Sequence, residues 1–378
     1  MKSLISGLFL IILLSITLTA SAQIPLERVL GRITIPSEGD TRGLVDVVGF
    51  PDKAEQMDFI GPLVEDLEKD ALAENRDKFG LDQTQGMICG ICPHDDYALA
   101  ARVYVHIQKY IKAKTVILIG NSHWSEAFGI RDRLIFGDFK NWRGPYGNVK
   151  VSGLREQIID GMPGGSYTVN RQVMETEHSL EAMIPYLQYY NRDVEIIPVL
   201  VPFMDWETMD KRGVELAQVV AGVVENNGLE LGEDVAVLIS TDGQHYGDYG
   251  WSYYDYHPHG CDWQGYGVAT ELDKKLVKNY LTGRIRSGNI KTLFSRLVDQ
   301  EDISQYKITW CGRFASTFGV NFANHLNLKI NGRNLEGMFL RYGTSISDPW
   351  LPLQEHGLGL TGDANLHHFV TYFTVGYR

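Results

Sequence analysis

The stretch Thr115-Val116-Ile117-Leu118-Ile119-Gly120 is apolar without a break from Val116 to Ile119, rich in β-branched residues, and stops at a glycine. It is too short for a helix that crosses a core, and it lacks the alternation of a half-exposed strand. It therefore reads as a strand buried on both faces. The same reading holds for residues 87–92, 194–201 and 234–240. Between these strands the period changes. Residues 97–111 place Tyr97, Ala100, Ala101, Tyr104, Val105 and Ile111 at helical spacing. Residues 177–190 place Leu180, Met183, Ile184 and Leu187 on one face, with a kink expected at Pro185. Residues 206–225 read as a helix, and further helices are expected at about 267–281, 287–298 and 314–326. Strands at 335–342 and 368–376 close the pattern. Continuous apolar strands separated by helices predict an α/β fold: a single three-layer domain, a mostly parallel or mixed central sheet, and helices on both faces.

The rest of the chain is read outward from that domain, which spans residues 86–378. Residues 23–85 are polar and irregular apart from one helical pattern at about 58–75, and are expected to pack on the domain as an N-terminal segment. Residues 1–22 carry Lys2, a greasy run through Leu8-Phe9-Leu10-Ile11-Ile12-Leu13-Leu14, and the small-x-small triplet Ala20-Ser21-Ala22. That is the pattern of a cleaved signal peptide, and it predicts an exported, periplasmic or secreted protein with no membrane span after cleavage. The chain has 35 Lys+Arg against 47 Asp+Glu, a net charge of −12 and a pI near 5.4. No basic cluster stands out, so nucleic acid is not an expected partner.

The chemistry gathers where strands end. In open α/β sheets ligands sit beyond the carboxyl ends of the strands. The chain has 11 histidines, and three fall within five residues of such an end. Pro93-His94-Asp95-Asp96-Tyr97 follows the first strand, Asn121-Ser122-His123-Trp124 the second, and Thr241-Asp242-Gly243-Gln244-His245-Tyr246 another. Imidazoles converging on one sheet edge suit metal ligation or acid–base work. Taken singly, each has a plainer reading: a solvated loop histidine, Asp95 or Asp96 as a helix N-cap, Asp242 as a turn residue. Cys311, just before the helix from Phe314, reads as a thiolate ligand or as a small buried hydrophobe. Glu177-His178 reads as a supporting hydrogen-bond pair or as charge at a helix start. The spacing of Cys89-Gly90-Ile91-Cys92 is that of a redox pair, and export would permit disulfides among Cys89, Cys92 and Cys261. The aromatic segment 249–266 either walls a pocket or packs as an amphipathic loop, and His367-His368 reads as a strand edge. Phosphate-loop, GxSxG, HExxH and EF-hand patterns are absent from the sequence.

Several of these segments, taken together, resemble the Memo-like family, also called AmmeMemoRadiSam system protein B. They are Cys92-Pro93-His94-Asp95-Asp96-Tyr97, Gly120-Asn121-Ser122-His123, Thr176-Glu177-His178-Ser179-Leu180-Glu181 and Ile196-Ile197-Pro198-Val199-Leu200-Val201. Ser240-Thr241-Asp242-Gly243-Gln244-His245-Tyr246-Gly247, Ser252-Tyr253-Tyr254-Asp255 and Cys311-Gly312-Arg313 follow in the family's order. The resemblance implies a fold shared with class III extradiol dioxygenases, whose site is non-haem iron(II). It implies His94, His123 and Cys311 as metal ligands, and His245, Asp242 and His178 as catalytic residues. Two departures stand out. Asp95-Asp96 replaces the family's usual Ala-Gly, and Trp124 stands where a second histidine is frequent.

The expectation that follows is an exported metal-binding protein, a dioxygenase-like non-haem iron oxidoreductase acting on a small substrate of aromatic type. Iron(II) is the expected cofactor. Thiolate ligation also admits copper or zinc. Two rival readings share the same ligands: a non-enzymatic copper, iron or partner-peptide binder, and a zinc hydrolase.

Overall fold

A computed structural model describes residues 25–81, 85–251 and 254–378. The expected signal peptide, residues 1–22, lies outside the described residues. Four strands form the parallel heart of the sheet: β1 (Cys89–Cys92), β2 (Thr115–Asn121), β3 (Glu195–Val201) and β4 (Val235–Ser240). Their order is β3-β2-β4-β1, with Thr115 opposite both Glu195 and Val235, and Cys92 opposite Ser240. These four are the continuous apolar runs of the sequence, and almost every side chain in them is buried. Antiparallel strands then extend the sheet: β5 (His245–Trp251), β6 (Glu336–Thr344) and β7 (His368–Tyr377). β7 pairs with β1, β5 and β6.

Two apolar layers clamp this sheet. One holds α1 (Ala54–Leu67), α2 (Tyr97–Gln108) and α3 (Ile184–Tyr190). The other holds α4 (Trp206–Asn226), α5 (Trp263–Tyr280), α6 (Ser287–Leu297) and α7 (Arg313–Asn331). The expected three-layer α/β architecture is therefore present. No helix among the described residues is long and apolar enough to cross a membrane.

Three local expectations are corrected. Pro185 does not kink a long helix. It sits in the first turn of α3, where its missing N–H costs nothing. A short 3₁₀ turn, Glu181–Met183, comes before it, and Glu177-His178-Ser179 lies outside helix. The pattern at 58–75 is two helices, α1 and a second over Lys69–Phe79, broken at Glu68. Finally, Cys89 and Cys92 are not a redox pair. Successive residues of a strand alternate faces, so Cys89 packs in one apolar layer and Cys92 in the other. All four cysteines are free.

Two residues of the aromatic segment, Tyr256 and Tyr266, pack with Tyr246 and Phe369 in a small satellite core, and Tyr256 also lines a separate surface pocket with His259.

Candidate metal centre

The parallel register brings the strand ends level, and backbone bonds then tie their loops together. The N–H of Thr241, after β4, donates to the carbonyl of Cys92 at the end of β1 (2.9 Å). The N–H of His94 donates to Asp242 Oδ1 (2.9 Å). The N–H of Ser122, after β2, donates to the Val201 carbonyl (3.2 Å). Cys311 arrives from the start of α7. Gly312 makes that approach feasible, since a Cβ there would lie 2.2 Å from Thr241 Oγ1 and 2.5 Å from Thr241 Cβ. The result is a cleft of about 300 Å³ lined by His94, His123, His178, Asp242, His245 and Cys311, with Arg32, Trp124 and His368 at its walls.

Hydrogen bonds fix which nitrogen of His94 carries the proton. Its Nδ1 lies 2.8 Å from Ser240 Oγ. The Ser240 hydroxyl spends its own proton on the Ser179 carbonyl (2.6 Å). Ser240 Oγ must therefore accept, so Nδ1 bears the hydrogen and Nε2 bears the lone pair. That lone pair faces Cys311 Sγ at 3.2 Å and Asp242 Oδ2 at 3.5 Å. His123 is oriented in the same manner by Glu177. The Glu177 carboxylate accepts from His123 Nδ1 (2.9 Å), the His123 N–H (2.8 Å) and the Ser179 N–H (2.9 Å). A histidine held at Nδ1 by an acceptor, with Nε2 turned inward, is the arrangement metal-binding imidazoles adopt.

His178 stacks on His123 (ring centroids 4.7 Å apart, planes 18° apart), and both rings stand edge-on to His94. Donor atoms accordingly form two compact groups that share His94: His94 with His123 and His178, and His94 with Asp242 and Cys311. The expected ligand set of His94, His123 and Cys311 draws on both groups. The donors comprise imidazole lone pairs, a thiol and a carboxyl, and this mixture suits a borderline or soft transition metal.

Burial dominates the electrostatics. It pushes the His94 pKa well below the usual imidazole range, helped by the charges of His123 and His178. It lowers His178 to about 3 and takes His245 down as well. Burial, with Asp95 beside it, raises Asp242, while burial and Asp242 raise the Cys311 thiol. Glu177 moves the other way: burial opposes its ionisation, but His123, His178 and the Ser179 N–H together outweigh it.

The comparison with known proteins bears on the same residues. The family model described as Memo-like protein matches residues 64–348. The chain belongs to the Memo-like family. All six expected site residues fall inside the matched span. A MEMO1 family protein of Methanosarcina barkeri is 29% identical over 170 residues, covering 44% of this chain and 58% of the relative. One from Aquifex aeolicus is 26% identical over 266 residues, covering 66% and 83%. One from Pyrococcus furiosus is 22% identical over 304 residues, covering 78% and 89%. The chain spans a little over half the length of the first curated relatives it matches.

In this Memo-like protein the Asp95-Asp96 departure is built into the structure. Asp96 occupies the N-cap position of α2, but its side chain makes no capping bond. It accepts instead from the Thr361 N–H (2.6 Å) and hydroxyl (2.9 Å). Burial, with Asp95 adjacent, pushes its pKa up to about 8. Asp95 accepts from the Tyr372 hydroxyl (2.6 Å). At the other departure, the Trp124 ring lies under the Arg32 guanidinium, 4.7 Å from its centroid. His368 lines the cleft and is more than a strand edge. Sequence reasoning gave no role to Ser240, although it opens one of the family segments, or to Arg32, which carries no local signal.

Proposed function

We propose that this Memo-like protein is an exported metal-dependent oxidoreductase of dioxygenase type, with iron(II) held by His94, His123 and Cys311. The observation that carries the reading is the His94 lone pair, fixed by Ser240 and aimed at Cys311 and Asp242. Such an ion, once bound, supplies Lewis acidity toward a substrate oxygen and electrons to O2. The protein supplies the rest. Glu177 and Ser240 hold the two imidazoles in register. Burial keeps His245 uncharged at neutral pH, so it can accept a proton from a substrate hydroxyl and return it. Asp242 braces the His94 backbone. Trp124 and the Arg32 cation beside it offer a face for a planar, electron-rich substrate.

The test is metal analysis of protein purified anaerobically, beside Cys311→Ser, followed by O2 uptake with catechols. Near-stoichiometric iron that is lost in the variant, with catechol-dependent O2 uptake abolished by His245→Ala, is the expected result. Copper with no turnover supports a metal-handling protein, which the thiolate favours. Zinc with O2-independent activity supports a hydrolase. Full metal retention in Cys311→Ser removes that residue from the ligand set.

A further inference from the structure

Away from the cleft, a second group of metal-binding side chains meets where β5, the start of β7 and the loop before α5 come together. Asp248, Cys261 and His367 each offer a donor atom within 4.8 Å of the other two. The backbone builds this meeting. Gly247 pairs with His368 across the β5–β7 ladder. It holds a φ of +147°, and a Cβ there would fall 1.9 Å from the His367 carbonyl. Only glycine permits so close a crossing. The N–H groups of Asp248 and Tyr249 then both donate to that carbonyl (3.1 and 3.2 Å). Cys261 is fixed on both sides. The Tyr246 hydroxyl donates to the Gly260 carbonyl (3.2 Å) and accepts the His259 N–H (2.9 Å). Asp262 caps α5 through the Gly265 N–H (2.7 Å).

Two of the donors already meet in a hydrogen bond that a shared cation would replace. His367 Nδ1 stands 2.8 Å from Asp248 Oδ1, and both side chains are open to solvent. The Cys261 thiol is free and only partly buried. Its burial and the neighbouring Asp248 charge raise its pKa, and a cation between the two would relieve that opposition. Around a tetrahedral ion with bonds of about 2.0–2.3 Å, donors sit roughly 3.3–3.8 Å apart. Donor atoms now up to 4.8 Å apart would close by up to about 1.5 Å, while the 2.8 Å His367–Asp248 contact would open by about 0.5–1.0 Å. A thiolate, an imidazole and a carboxylate form a mixed set that magnesium and calcium do not favour and zinc accepts. His368, the next residue, lines the cleft instead, so this group stands outside the centre described above.

We propose that Asp248, Cys261 and His367 form a second, surface metal site that takes one zinc-class divalent cation, with water completing its coordination. The inference does not depend on what the cleft binds. Its test uses Co²⁺ as the probe, titrated into reduced Cys311→Ser protein. Cys89 and Cys92 are fully buried in the sheet, so Cys261 is the thiol left in reach of solvent. The expected result is a thiolate-to-cobalt charge-transfer band saturating at one equivalent. It should vanish in Cys311→Ser/Cys261→Ser, and His367→Ala should weaken binding by about tenfold or more. No thiolate band in Cys311→Ser, or a band that survives loss of Cys261, overturns the proposal. If Cys311→Ser does not fold, the same titration compares wild type with Cys261→Ser. There the tightly bound cobalt should fall by one equivalent, and an unchanged stoichiometry overturns the site.

Discussion

Ser240 decides the tautomer of His94. The serine hydroxyl gives its proton to the Ser179 carbonyl and accepts the one on His94 Nδ1, so Nε2 is left as a lone pair facing Cys311. The orientation comes from the end of a buried strand and is in place before any ligand arrives.

Ser240→Ala should therefore separate folding from metal binding. It leaves the buried His94 N–H without an acceptor and the Ser179 carbonyl without its donor, a loss of about 1–3 kcal/mol in unfolding free energy. Metal affinity should fall about 10–100-fold, because the ring loses its preferred tautomer. Chelator competition beside urea unfolding measures both. Unchanged affinity would show that Ser240 does not set the ligand.

Glu177 does the same for His123, with a full charge. Glu177→Gln preserves the shape but replaces one carboxylate oxygen with a donor. That donor faces either the backbone N–H of His123 or the Ser179 N–H and the His123 ring together. Metal affinity is expected to drop about tenfold or more, with the ring free to reorient. NMR of the imidazole nitrogens would report that reorientation directly.

Acid stability should draw on Glu68, away from the cleft, as well as on the buried groups within it. Burial opposes its ionisation, yet bonds from His106, Arg341 and Arg102 hold its pKa down to about 2 from an ordinary 4.5. Asn75 donates to His106 Nδ1 and Leu340 accepts from Asn75, so the ring donates its Nε2 hydrogen to Glu68. The stabilisation from Glu68 is complete above about pH 4.5 and is lost as pH falls toward 2. His106 adds to the acid loss from higher pH. Burial lowers its pKa below 6.5, so the unfolded chain takes up that proton first. Glu68→Gln should cost about 2–3 kcal/mol at pH 7 and flatten the stability profile between pH 4.5 and 2. A profile parallel to wild type would contradict this.

Gly312→Ala tests the approach of α7 to the cleft. The new methyl would lie 2.5 Å from Thr241 Cβ and 2.9 Å from its Cα, and backbone cannot yield cheaply. A stability loss of about 1–3 kcal/mol is expected, together with displacement of Cys311 from His94. Metal content of the folded variant is the readout.

The strands were legible because burial on both faces writes an unbroken apolar run, and the site's location followed because parallel strands deliver their loops to one edge. What local pattern could not carry was the cross-chain choice of partner. The helix start at Tyr97 could be read, but not that Asp96 would serve Thr361, 265 residues away, in place of its own helix. Apolar spacing from Leu180 to Leu187 extended a helix back over Glu177, whereas the nonhelical backbone at 177–179 is what lets Glu177 reach His123. Cys89 and Cys92 have the spacing of a redox pair, and only the strand's alternation parts them. Ser240 is one more small polar residue at a strand end until the Ser179 carbonyl is seen beside it.

The position of β7 has a consequence for how the cleft comes into being. His368–Tyr377 pairs with β1 through Val375 and Ile91 and with β5 through Val370 and His245. It is the splice between the strand that delivers His94 and the strand that begins with His245. Residues made early in the chain therefore wait for a segment made far later before they share one sheet. Contacts of such long sequence separation form slowly, so nascent chains lacking residues 368–377 hold the His94 loop without its opposite wall. The chemistry of the cleft should appear in a single late step and not grow gradually with chain length.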